Sequence, residues 1–165
     1  MYDQAARAIA PIVLRVLEEE YEQQGHRLTG NLAKSLETNI TSTAVSAVVQ
    51  VLMLEYGRYI SDGVPASRIP YSPNSGAKTS RYIQGLTDFA QKRFNVGQKE
   101  ATRIAFAIAR KQKEEGMPTR NSFKYSKNGR RTGAIEAAFD QALPEMQTAL
   151  APVISDAVFE LIKPV

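Results

Sequence analysis

The sequence predicts an α+β fold in which a long N-terminal helix and C-terminal helices pack on a small antiparallel sheet, with two long loops. Apolar residues recur at three- and four-residue steps near both ends of the chain, as they do along amphipathic helices. Between residues 37 and 54 they alternate instead, and Val, Thr and Ile are frequent, which indicates strands. Residues 57–80 and 117–132 show neither period and are rich in turn-forming and polar residues.

A single domain is expected, because 165 residues suit one domain and 43% hydrophobic residues are enough to build a core. Along the chain we expect a helix plus hairpin at 1–64, a loop at 57–80, helices at 81–116, a basic loop at 117–132 and C-terminal helices at 133–165.

The first region is predicted to hold a helix over residues 2–24, which Pro11 either kinks or marks as the true start and which Gly25 ends. A hairpin with a longer second arm follows at 37–54. Alternate residues of its second arm are apolar and should face the core: Val45, Ala47, Val49, Val51 and Met53.

Helical spacing returns in the second half of the chain. Residues 81–116 predict two helices broken at "NVG", with Gly116 as a stop signal. From Gly133 onward the spacing stays helical but includes Pro144 and Pro152, which predicts two helices or one kinked helix.

Composition excludes several classes of protein. The absence of cysteine excludes disulfides, thiolate catalysis and cysteine-type zinc sites. No apolar run reaches the roughly 18 residues that span a bilayer, so no membrane association is expected. The N-terminus is not typical of a signal peptide. No cofactor is expected, and a metal site would need His26 with carboxylates, or carboxylates alone.

Catalytic motifs are missing from the sequence, which contains no phosphate-binding glycine loop, nucleophile elbow or zinc-protease motif. The run "EEEYE" at 18–22 is interpreted as a solvated helix face, and His26 as a surface residue. A small hydrolase would have to use His26 or one of Glu18, Glu19, Glu20 and Glu22.

Charge is distributed unevenly along a chain whose net charge is +4. Residues 117–132 contain five basic residues and no acid, whereas residues 133–165 contain five acids and one lysine. Such an arrangement can steer copies of the chain against each other as readily as it can attract nucleic acid.

The basic segment interleaves cations with two aromatic residues, Phe123 and Tyr125. Three interpretations stay open: a contact with single-stranded nucleic acid, a solvated loop, or a loop ordered against a neighbouring subunit. Its cations are Arg120, Lys124, Lys127, Arg130 and Arg131.

The segment "EYGRYISDG" places Tyr56 and Tyr59 on one side of a helical turn, and Arg58 four residues before Asp62, where the two can pair. The tyrosines are either core anchors beneath the long loop or anchors of a protein–protein contact, in which tyrosine and arginine are enriched.

Three segments of the chain are distinctive as a set: "LTGNLAKSLE" at 28–37, "VVQVLMLEYGRYISDG" at 48–63 and "IAFAIARKQKEEGMPTRNSF" at 104–123. In this order they resemble the small neck and tail-completion proteins of tailed bacteriophages, which join the head to the tail. Two patterns of that family are T-G-x-L-x-x-S-(L/I) and Y-(G/A)-x-Y-(I/V)-x-x-G, and a third is a helix that ends before G-I-P-T. Gln112 departs from the apolar residue more usual there, and the helices from Arg81 onward extend beyond the more compact members.

The resemblance implies a non-catalytic virion protein, made in the host cytoplasm, that forms a ring of roughly six or twelve copies at the head–tail junction. Its partners would be other copies of itself, the portal or connector, and tail-tube or other neck proteins. The principal alternative is a basic DNA-binding accessory protein.

Two sets of residues are expected to make contacts. The first, with the loop at 65–76, would form a subunit interface: Tyr56, Arg58, Tyr59, Arg68 and Tyr71. The second would contact either the next ring or the DNA in the channel: Arg120, Phe123, Lys124, Tyr125, Lys127, Arg130 and Arg131.

Overall fold

The computed structural model describes residues 1–26, 29–73 and 80–163, without the side chain of Leu161. It is 66% helical with a small two-stranded antiparallel sheet, which confirms the α+β class. The chain divides into two compact units, one comprising residues 1–57 with 133–165 and the other residues 58–132. The single domain stays a prediction.

The helices and strands follow one another in the order helix, helix, two strands, then four helices. They are α1 (Tyr2–Gln23), α2 (Asn31–Lys34), β1 (Glu37–Ser42), β2 (Ala47–Leu52), α3 (Tyr56–Asp62), α4 (Arg81–Phe94), α5 (Gln98–Glu115) and α6 (Ala134–Ile162). Two 3-10 helices lie between them, at Ala66–Arg68 and Arg120–Tyr125.

The first unit is built on α1, which contacts both strands and α6. Arg15 of α1 pairs with Glu145, and Glu20 accepts a hydrogen bond from Gln141 at 2.9 Å. Glu20 lies further along α1 than Arg15, but its partner on α6 comes earlier in the sequence than Glu145. The two helices therefore run antiparallel. Buried alanines let them approach closely: Ala6 and Ala10 on α1, and Ala134, Ala137, Ala138 and Ala142 on α6.

Proline does not limit either long helix. The helix α1 begins at Tyr2, so Pro11 lies inside it and does not mark its start. Pro144 and Pro152 both lie inside α6, so the alternative of two C-terminal helices is wrong. Gly25 follows α1 with φ of 72°, which agrees with the predicted stop.

The sheet pairs Glu37 with Leu52 at one end and Ser42 with Ala47 at the other. Its strands are six residues each, so the predicted longer second arm is wrong. The alternation along β2 is confirmed, because Ala47, Val49 and Val51 are half-buried while the residues between them are exposed. Val45, which the alternation predicts on the inner face, lies before the strand and is 77% exposed.

The second unit has its core between α4 and α5, which confirms the two helices predicted at 81–116. The side chains of Ile83, Ala105 and Ala109 are buried there. Half-buried rings and a leucine close the cluster: Tyr71, Tyr82, Leu86 and Phe106. Ser80 caps α4 by accepting a hydrogen bond from the Ile83 N–H at 3.2 Å.

Both predicted loops contain helical turns. The helix α3 covers Tyr56–Asp62, and 3-10 helices cover Ala66–Arg68 and Arg120–Tyr125. The helical turn expected in "EYGRYISDG" is confirmed by α3, whereas the loop assignment is wrong for the two 3-10 helices. Residues 74–79 of the first predicted loop lie outside the described residues. Residues 126–132 contain bends and no strand.

The two predicted loops are joined at their beginnings by an isolated antiparallel bridge between Val64 and Met117. Each residue donates its N–H to the carbonyl oxygen of the other at 2.7 Å. Gly63 and Gly116 precede the bridged residues, with φ of 76° and 84°. A Cβ on Gly63 would lie 2.8 Å from the Met117 carbonyl oxygen, and a Cβ on Gly116 would lie 2.8 Å from that of Val64. Glycine is therefore required at both positions by backbone conformation and by space.

We expect Gly63→Ala and Gly116→Ala each to lower the free energy of unfolding by about 1–3 kcal/mol or more, because alanine is strained at positive φ and meets a carbonyl oxygen. Chemical denaturation measures the change. Gly85→Ala is the matched control: it lies inside α4 with nothing within 4 Å of its Cβ position. It should instead stabilise the chain by about 0.5–1 kcal/mol, the helix-propensity gain. Equal effects at all three positions would contradict this account of the bridge.

Gln112 is polar at a position where an apolar residue is expected, and a hydrogen-bond partner explains the difference. Its side chain is buried on α5 and its Oε1 accepts a hydrogen bond from the Tyr82 hydroxyl of α4. Burial also raises the pKa of the Tyr82 phenol. The glutamine therefore satisfies a hydroxyl that an apolar residue would leave without this partner.

Gln112→Leu should destabilise the chain by about 1 kcal/mol, because the Tyr82 hydroxyl loses its acceptor. The double variant Gln112→Leu with Tyr82→Phe should recover most of that loss, because neither polar group is then left behind. Equilibrium unfolding of the wild type, both single variants and the double variant measures the coupling. Additive effects would show that the hydrogen bond does not explain Gln112.

Candidate interaction surfaces

The outer side of α3 is exposed. Tyr56 is 43% exposed and Tyr59 is 51% exposed, so the interpretation of these tyrosines as core anchors is wrong. Arg58 and Asp62 form the predicted pair, with Nε and Oδ2 3.3 Å apart, and both side chains face solvent. An exposed ion pair of this kind adds little stability. The two rings and the arginine are exposed, so another molecule can reach them.

The remaining residues of the first predicted set lie in the second unit. Arg68 ends the 3-10 helix Ala66–Arg68 and is exposed. Tyr71 is half-buried instead, and its ring lies 6.5 Å from that of Phe106, centroid to centroid. Tyr71 therefore belongs to the core beneath the segment, a correction to its predicted place in an interface. Lys113 fixes the same segment by donating to the Ile69 carbonyl oxygen at 3.0 Å.

The second predicted set surrounds the 3-10 helix Arg120–Tyr125. The Arg120 N–H donates to the Glu115 carboxylate at 3.0 Å, and this hydrogen bond lowers the pKa of Glu115. Arg131 is half-buried, whereas the other members of the set are exposed: Arg120, Phe123, Lys124, Tyr125, Lys127 and Arg130.

Cations gather around the Tyr125 ring. The Arg93 guanidinium lies 5.4 Å from the ring centroid and the Lys124 ammonium lies 5.1 Å from it, distances at which both attract the ring. Burial, and secondarily the charge of Arg93, lowers the pKa of Arg131. We call Arg93, Phe123, Lys124, Tyr125 and Arg131 the aromatic–basic surface. Its concentrated positive charge favours an anionic partner.

Arg93 was not among the residues predicted from the sequence. It lies in the last turn of α4, about thirty residues before Tyr125, and only the fold brings it to the ring. The pattern "KRF" at 92–94, with two cations before an exposed aromatic ring, was the available signal.

The helix α6 carries a second, apolar surface, which its helical periodicity alone does not predict. Six large apolar side chains on it are between 41% and 67% exposed: Phe139, Leu143, Ile154, Val158, Phe159 and Ile162. We call Phe139, Leu143, Ile154 and Val158 the α6 stripe. The sequence indicates this surface by placing apolar residues on more sides of the helix than one packed helix can cover. Ala134–Ile162 contains five acids and no basic residue.

Glu20 corrects the interpretation of "EEEYE" as a solvated face. Glu18, Glu19 and Glu22 are exposed, but Glu20 is only 1% exposed. Its Oε1 accepts from Gln24 at 2.9 Å and its Oε2 from Gln141 at 2.9 Å. The carboxylate therefore links α1 to α6.

His26 corrects a second expectation, because it is half-buried and not a surface residue. Its Nε2 lies 3.2 Å from Gln24 Oε1, and its ring meets that of Tyr21 edge-on with 6.1 Å between centroids.

Within the described part of the chain, no group of three or more His, Cys, Asp and Glu residues could hold a metal ion. None of the described helices is long and apolar enough to cross a bilayer.

No family model matches the chain, and neither the curated proteins nor the solved structures include a match to it.

Proposed function

We propose that this protein is a non-catalytic structural component of the tailed-phage neck, a tail-completion or head–tail connector protein that assembles as a ring. The observation that carries the proposal is the bridge between Val64 and Met117. The segment 48–63 ends at Gly63, directly before Val64, and Met117 lies in the segment 104–123, so two of the three family-like segments come together at the bridge. Their glycines, Gly63 and Gly116, are the ones the local backbone requires. The resemblance therefore falls on residues with a shared structural task.

The exposed side chains support an assembly function. Tyrosine and arginine are enriched among the residues that dominate protein–protein contacts, and α3 presents Tyr59 and Arg58 to solvent. The aromatic–basic surface and the α6 stripe expose further rings and aliphatic side chains. Large exposed apolar patches on a soluble chain mark interaction surfaces, and contacts between unlike surfaces close into rings when the rotation permits.

Virions made with Tyr59→Ala combined with Arg58→Ala should show loss of the neck ring and of joined heads and tails, because the exposed anchors are removed. Electron microscopy of phage lysates measures the joined fraction. The matched control is Tyr2→Ala with Arg7→Ala, which removes the same residue types from α1, where both are exposed. Circular dichroism should show both variants folded. Normal joining in phage that lack this chain altogether would contradict the proposed function.

DNA binding is the second candidate, and the cations around Tyr125 are the observation that favours it. Under the neck proposal the isolated chain should bind duplex DNA weakly, and filter binding across a salt series measures this. A salt slope near about −0.9 for each of several phosphates would favour the accessory-protein alternative. In that case Lys124→Ala and Arg130→Ala should each reduce the slope by about one.

A further inference from the structure

The α6 stripe needs a partner that α1 does not supply. The face of α6 that packs on α1 is formed by small residues such as Ala134, Ala138 and Ala142. Phe139 and Leu143 directly follow Ala138 and Ala142 in the sequence, and they are 54% and 41% exposed. A helix that is apolar on more than one side is normally covered on more than one side. The stripe therefore has the character of an interaction surface.

The charges beside the stripe restrict what that surface can be. Glu136 and Asp140 are exposed, and they lie three residues before and one residue after Phe139. Since residues three and four apart share a side of a helix, Glu136 lies beside both Phe139 and Asp140. Ala134–Ile162 has no basic residue to balance them. The complementary surface should therefore combine exposed rings with positive charge.

The aromatic–basic surface has this composition. Phe123 is 41% exposed and Tyr125 is 45% exposed, with Lys124 and Arg93 over the Tyr125 ring. Residues 117–132 carry five basic residues and no acid, against the five acids and no base of α6. Glu145 and Glu160 already pair with Arg15 and Lys163, so Glu136, Asp140 and Asp156 carry the charge that a partner would meet. The two surfaces match in apolar character and are opposite in charge.

We propose that the α6 stripe of one copy packs on the aromatic–basic surface of a second copy of this chain, as a head-to-tail contact. The proposal rests on the proposed ring function for its biological role, and it names the surfaces that make the ring. Each copy offers both surfaces once, so every contact leaves one of each free for the next copy. Such contacts propagate until the ring closes.

Two other occupants are disfavoured by the same charges. Pairing of α6 with α6 of a second copy would set acids such as Glu136 and Asp140 against acids, and α6 itself supplies no basic residue. DNA would satisfy the cations of the aromatic–basic surface but would leave the α6 stripe exposed. Of these three occupants, only the head-to-tail contact covers both surfaces.

Directed cross-linking tests the contact, since the natural chain has no cysteine to interfere. Full-length chains carrying Leu143→Cys and Phe123→Cys, distinguished by different tags, are mixed and oxidised or treated with a short bis-maleimide. We expect a mixed cross-linked dimer, and no dimer from either variant alone. Ile154→Cys replaces Leu143→Cys in a second mixture, so that a single unfavourable geometry does not decide the result.

Charge reversal tests the complementarity. Glu136→Lys with Asp140→Lys, added to the Leu143→Cys chain, should abolish the mixed dimer. Lys124→Glu with Arg130→Glu, added to the Phe123→Cys chain, should restore it. Glu18→Lys with Asp88→Lys is the matched control: it makes the same change in net charge at exposed positions outside the contact and should leave cross-linking unchanged.

Several outcomes would overturn the contact. A Leu143→Cys homodimer would show α6–α6 pairing, and no mixed dimer in either cysteine mixture at any concentration would show no contact. Cross-linking within single chains that carry both cysteines, at high dilution, would show that the surfaces meet inside one copy. Loss of the mixed dimer on adding duplex DNA, with the chain then bound to the DNA, would show DNA as the occupant. If the mixed dimer forms but the protein is not found in phage necks, the contact would be supported and the neck function rejected.

Discussion

The bridge between Val64 and Met117 is the constraint on which the second unit depends. Two hydrogen bonds hold together the starts of two segments that are more than fifty residues apart in the sequence. The backbones approach so closely that a single Cβ on either Gly63 or Gly116 would meet a carbonyl oxygen. Ordering a segment without such contacts costs about 1–2 kcal/mol per residue in backbone entropy. The bridge offsets part of that cost and sets where the exposed side chains of both segments begin.

The helix α6 in the first unit follows a different rule, in which alanines are buried and most of its large apolar side chains are exposed. Alanines line the contact between α1 and α6, while Phe139, Ile154 and Val158 are about half exposed. This is the reverse of an ordinary amphipathic surface helix, whose large apolar side chains face the core. The buried hydrogen bonds of Glu20 to Gln24 and Gln141 add specificity to the alanine contact. The consequence is a long helix with large apolar side chains exposed on its outer side.

Much of the fold could be predicted from the sequence, because periodicity reports which face of an element is apolar. It located α1, the hairpin, α4 and α5, and the i, i+4 spacing of Arg58 and Asp62 correctly indicated their ion pair. Periodicity does not reveal which apolar residues find a partner within the chain, so the exposed side of α6 was missed. Nor could it show that Glu20 is buried, because its neighbours Glu18 and Glu19 are solvated and only the position of Gln141 on α6 distinguishes it. Arg93 was missed for a related reason, since a cation far away in sequence joins Tyr125 only through the fold.

The central claim is that exposed rings on the two units are covered together when copies of the chain assemble. Hydroxyl-radical footprinting of the full chain across a concentration series tests this most directly, because aromatic side chains react in proportion to their exposure. We predict that Phe139 on α6 and Tyr125 on the 3-10 helix lose reactivity over the same concentration range, while Tyr2 on α1 does not change. If Phe139 and Tyr125 stayed reactive in the assembled form, or were protected at unrelated concentrations, the claim would be contradicted.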